Sequence, residues 1–69
     1  MYENIKRAID ELDASITLKT DYTEELRQLE QFESDLSVLR TLGTAVWKIQ
    51  DAYAKIKNMR SWMLAEMRV

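Results

Sequence analysis

The chain has 69 residues, 46% of them hydrophobic and 32% charged, with one glycine and no proline, cysteine or histidine. A single domain of this size builds only a marginal core; the missing cysteines exclude disulfides and thiolate metal sites, and the missing histidines remove the commonest neutral-pH base and metal ligand. The formal net charge of −2 is uneven: residues 1–20 carry four acids and three bases, residues 21–42 six acids and two bases, and residues 43–69 two acids and five bases, the pattern of antiparallel helices with complementary flanks.

Tyr2, Ile5, Ile9, Leu12 and Ile16 recur at steps of three and four, which predicts a helix over about residues 3–18 with one narrow apolar stripe. Glu3 with Arg7, Arg7 with Glu11 and Lys6 with Asp10 stand four apart on its other faces, each pair worth a few tenths of a kcal/mol. A helix with one buried side must lean on something.

The pattern breaks at Leu18–Asp21. Asp21 followed by Glu24 reads as a capping-box variant, with Thr20 and Thr23 as rival caps, and Tyr22 is placed to anchor the turn in the core. Leu26, Leu29, Phe32, Leu36, Leu39 and Leu42 then mark a second helix over about 22–42, acidic outside and leucine-rich inside.

Gly43 precedes a third stripe: Val46, Ile49, Tyr53, Ile56, Met59, Met63 and Met67, widened by Ala45, Trp47, Ala52 and Trp62. Gly43 followed by Thr44 as the next cap ends helix two and opens helix three at about 45–67. The expected fold is therefore an all-α, short antiparallel three-helix bundle forming one domain over residues 1–69. The alternative is a two-helix hairpin, because the three-four-three spacing of Leu39, Leu42, Val46 and Ile49 would also continue through Gly43, at about 1 kcal/mol for a mid-helix glycine. That form would hold one helix of about 70 Å, and a second chain could complete its core.

No basic segment precedes an apolar block and no run approaches 18 apolar residues, so neither a signal peptide nor a membrane span is expected, and the chain reads as cytoplasmic. Catalysis is the weakest functional reading. Asp10 and Asp13, or Glu30 and Glu33, share a face, but on the solvent side, and no Glu-x-x-His pair exists for a carboxylate metal site. One glycine cannot form a phosphate-cradling loop. No cofactor, metal or small-molecule substrate is expected.

Lys48, Lys55, Lys57, Arg60 and Arg68 decorate the last helix among Trp47, Tyr53 and Trp62, and Lys55, Lys57 and Arg60 are the candidates for nucleic-acid contact. Five bases offset by Asp51 and Glu66 in an acidic protein are few for a polyanion. A membrane-surface role for this basic amphipathic helix is weakened by the same acids. The stronger signal is the aromatic and methionine content of the last helix, since Trp, Tyr, Met and Arg are enriched at interface centres. Trp47, Tyr53, Trp62, Met63 and Met67 are the candidate protein-interface residues, and Trp62, Met63, Leu64, Met67 and Val69 together call for a cover. The expected function is a non-enzymatic interaction module that buries the apolar face of its C-terminal helix on a partner or on a second copy.

In size, in its lack of enzymatic residues and in its helix-arm arrangement the chain resembles the small helical co-chaperones of type III secretion needle subunits. Those proteins are helical hairpins that pair with a repeat-type chaperone; small phage-encoded host inhibitors have a similar outline. The resemblance implies a chaperone-like or inhibitory partner role and carries no residue over.

Overall fold

The structure, a computed structural model, describes residues 1–67; Arg68 and Val69, counted above among the bases and the apolar end, lie outside the described residues. Three helices follow one another: α1, Tyr2–Ser15; α2, Thr23–Thr41; and α3, Val46–Met67. Each touches both others, and the bundle measures 40 × 18 × 16 Å. The described residues contain no strand, and none of their helices is long and apolar enough to cross a membrane. The three-helix form is thus the one adopted.

Gly43 is what separates α2 from α3. Its φ is +102°, and it is the residue of positive φ among those described. The Gly43 amide donates to the Arg40 carbonyl at 3.2 Å and the Thr44 amide to the Leu39 carbonyl at 3.0 Å, the paired reverse bonds of a Schellman turn that satisfy two otherwise orphaned carbonyls. A side chain in this left-handed conformation meets steric strain, so glycine is the residue that fits. The first turn of α3 closes on the Ala45 carbonyl, which accepts from Lys48 at 3.1 Å and Ile49 at 3.3 Å; Thr44, the expected cap, stands one position too early.

α1 stops at Ser15, three residues before its apolar spacing suggests, and Ile16 turns extended at φ −65°, ψ 125°. The cause is Tyr22. Its ring is fully buried, so its hydroxyl needs partners, and the connector supplies them: the hydroxyl donates to the Thr17 carbonyl at 3.0 Å and accepts from the Lys19 amide at 2.8 Å. Those two backbone groups cannot serve Tyr22 and continue a helix. The predicted capping box does not form either. Asp21 Oδ1 accepts from the Thr23 amide at 3.0 Å, and Tyr22 is the cap residue, its carbonyl taking the Leu26 amide at 2.8 Å.

The core joins Ile9 of α1, Tyr22 of the connector, Leu29, Leu36 and Leu39 of α2, and Ile49, Ala52, Ile56, Met59 and Met63 of α3. Tyr2, Ile5, Leu12, Ile16, Leu26, Phe32 and Tyr53 pack around it. Leu42 and Val46, placed in the stripes by their spacing, are instead 67% and 51% exposed, because the left-handed turn changes the phase of α3 relative to α2.

A Cβ at position 43 would meet nothing within 4 Å, so Gly43→Ala isolates backbone strain from crowding. It is expected to destabilise by about 1 kcal/mol and lower Tm by about 4–8 °C, with Gly43→Asn milder; thermal denaturation followed by circular dichroism measures both.

Candidate interaction surface

α3 presents its residues at about 100° per step, so directions around its axis follow from the sequence. Ile49, Ala52, Ile56, Met59 and Met63 cluster about the direction of the core. Trp47 lies about 160° from the centre of that cluster, aimed away from the bundle and 68% exposed. Its indole has no place in the core. The Lys48 ammonium sits 5.6 Å from the centre of this indole and 5.5 Å from the Tyr2 ring, and the Tyr2 hydroxyl donates to the Lys48 carbonyl at 3.3 Å. With Val38 at 52% exposure, and the exposed Leu42 and Val46, Trp47 makes the end of the bundle around the α2–α3 turn rich in solvent-facing apolar side chains.

Directly outward on α3 lies a row at alternating steps of four and three: Trp47, Asp51, Ala54, Asn58, Ser61 and Ala65. All six fall within about 40° of the Trp47 direction and all are exposed. One of them is charged, in a chain where a third of residues are.

The other candidate interface residues are placed differently. Met63 is fully buried; it belongs to the core and has no surface to offer, which corrects the sequence expectation. Methionine suits both interfaces and irregular cores, and here the core takes it. Tyr53 is half-buried, and its hydroxyl donates to the Glu33 carbonyl at 3.2 Å, tying α3 to α2. Trp62 stands edge-on to Tyr22, ring centres 5.6 Å apart at 68°, and keeps 41% of its surface exposed. It covers Tyr22 and forms one wall of a groove of about 510 Å³ with Asp13, Ile16, Lys55, Asn58 and Met59. Met67 borders a second, smaller groove with Leu18, Lys19, Thr20 and Glu66. The five candidates therefore do not gather into one patch: Trp47 stands at one end of α3, Trp62 and Met67 at the other.

The bases divide in the same way. Lys55 pairs with Asp10 and lies 3.9 Å from Asp13, so α3 is pinned to α1; Lys6 also reaches Asp10, at 3.3 Å. Arg60 pairs with Glu33 of α2. Of the three candidates for nucleic-acid contact, Lys57 alone forms no ion pair among the described residues. The charge complementarity legible in the sequence thus links the helices and occupies two of these three cations, Lys55 and Arg60.

Among the described residues no three acidic side chains gather as a metal site, and no buried side-chain nitrogen or oxygen lacks a hydrogen-bond partner. Comparison with protein families, curated proteins and solved structures yields no match for this chain.

Hydrogen bonds from Lys55 and Lys6 hold the Asp10 carboxyl below the ordinary carboxylate range, and the bond from Lys19 does the same for Glu25. Carboxyls lowered in the folded state stabilise it at neutral pH and lose that contribution as pH falls through their folded-state values, below about pH 4. The Asp10 pairs are exposed on both sides, so their share at neutral pH is small. Asp10→Asn is expected to change Tm little at pH 7 and to flatten the fall of Tm with acidification below about pH 4; melting curves across that range in both proteins check it.

Proposed function

We propose that this chain is a non-enzymatic helical interaction module, a small adaptor, chaperone-like subunit or inhibitor working in the cytoplasm, which docks through the residues that its own bundle leaves uncovered. The observation that carries the reading is Trp47: a large apolar ring, 68% exposed and turned away from a core that is closed without it. Burying most of an indole on a partner stabilises a complex by up to about 3 kcal/mol, and tryptophan is the residue most enriched among the side chains that dominate binding. The docking element is still the C-terminal helix, by its outward row and the adjoining Leu42 and Val46, since its main apolar stripe is committed to the core. Trp62 and Met67 form a secondary contact at the far end. Lys55 and Arg60, occupied by Asp10 and Glu33, lend no comparable support to nucleic-acid binding.

Folding and docking separate cleanly in two variants. Trp47→Ala is expected to leave Tm within a few degrees of wild type and to abolish association, read by light scattering for a second copy and by co-purification for a foreign chain. Met63→Ala is expected to destabilise by about 2–5 kcal/mol through the cavity it leaves. A protein that stays monomeric and also holds no partner, or one that binds equally well without Trp47, would overturn the proposal.

A further inference from the structure

Resting on the reading of the chain as an interaction module, in which Trp62 belongs to the secondary contact, we infer that the groove between the end of α1 and α3 receives an arginine-centred segment of the partner, its guanidinium held by Asp13 and the Trp62 indole. The groove, about 510 Å³, has the size of sites that take small ligands or a few side chains, and it lies away from the Trp47 end. Ile16 and Met59 line it with apolar surface, Trp62 with an aromatic ring, and Asp13, Lys55 and Asn58 with polar groups.

Asp13 decides the chemistry of the occupant. Asp10 takes the hydrogen bonds of both Lys55 and Lys6, whereas Asp13 lies 3.9 Å from the Lys55 ammonium, too far for a hydrogen bond. Its side chain is 49% exposed, so water serves the carboxylate in the free protein, and an occupant that displaces this water must replace what the water gave. An apolar segment would leave Asp13 facing it unpaired. An acidic segment would meet the repulsion of Asp13 and Asp10. A cation both fills the groove and completes the pairing.

Trp62 selects among cations. Its edge-on contact with Tyr22 holds the indole in place, while 41% of the residue stays exposed. A guanidinium stacks on an indole and presents a planar fork that matches a carboxylate, whereas an ammonium is a compact, strongly hydrated point charge. The Asn58 side-chain carbonyl is a further acceptor on the same groove, and the methylenes of an arginine stem suit Ile16 and Met59. The surroundings favour positive charge as well. Beyond the groove, the connector end carries Asp21, Glu24, Glu25 and Glu66, with Lys19 and Arg27 already paired to Glu25 and Glu24. Lys57 stands about 100° or more round α3 from Lys55, Asn58 and Trp62, on the other flank of the helix.

The probe is a capped pentapeptide with arginine at its centre and leucine on either side, titrated into isotope-labelled protein and followed by the magnetic resonance shifts of the Asp13, Asn58 and Met59 amides and the Trp62 indole. Binding on the order of 1 mM is expected from one exposed ion pair and one stacked ring. It should weaken about fivefold or more when the central residue is lysine or glutamine, and about tenfold in Asp13→Asn, a substitution at an exposed side chain that leaves the core intact. Trp47→Ala is expected to bind the peptide as the wild type does. Equal binding of the glutamine peptide, or binding indifferent to Asp13→Asn, overturns the charge pairing, and equal binding of the lysine peptide overturns the choice of a guanidinium. Shifts gathered at Trp47 and lost in Trp47→Ala overturn the groove while supporting the docking role of Trp47. No binding of the arginine peptide overturns the inference and leaves the association of the Trp47→Ala protein to decide the interaction reading on its own.

Discussion

Everything in this bundle follows from the left-handed turn at Gly43. By closing two reverse hydrogen bonds onto Arg40 and Leu39, it stops α2 and sends α3 back along it, replacing a helix of about 70 Å with two that pack side by side. The same turn chooses which stripe of α3 faces inward. Ile49, Ile56 and Met63 are delivered to the core, while Leu42, Val46 and Trp47, close to the reversal on either side, are left in water. The core and the surface are two results of one backbone conformation.

Much of this was legible in the residues. The stripes of Ile9, of Leu29 and Leu36, and of Ile49 and Ile56 mark three helices because their spacing matches the helical repeat, and Tyr22 was recognisable as a turn anchor by its place beside the break. Helix ends were less legible, since they depend on tertiary demands: α1 stops where the hydroxyl of a tyrosine seven residues later takes the carbonyl of Thr17 and the amide of Lys19. The exposure of Leu42 and Val46 was hidden by spacing that ran undisturbed through Gly43, although a glycine ending one helix and beginning another removes any reason for the two stripes to share a phase.

The candidate surface was half legible. Composition singled out tryptophan and methionine without distinguishing their directions, so Met63, which fills the core, and Trp47, which faces away from it, received the same role. The outward row was visible in principle, at the same four-three spacing as the core stripe but on the opposite side. It is made of Ala, Ser, Asn and Asp around one Trp, and so carries little hydrophobic signal. Charge told a clearer story. The basic end and the acidic middle do complement each other, through Arg60 and Glu33, but Lys55 turns to the acids of α1 instead.

The contributions of the three helices to the core are unequal, and this sets an order of opening. α1 commits one buried residue, Ile9, against three from α2 and five from α3; its other ties include the half-buried Tyr2, Ile5 and Leu12, the Tyr2 hydroxyl bond to the Lys48 carbonyl, and the exposed bridges from Asp10 and Asp13 to Lys55. Free energies of local unfolding follow buried contacts, so α1 is the segment that detaches at least expense while α2 and α3 stay paired through the Gly43 turn. In that opened state the inward stripe of α3 becomes reachable on its α1 side. The short first helix thus covers apolar surface of α3, and its sparse anchoring sets the free energy at which water reaches that surface.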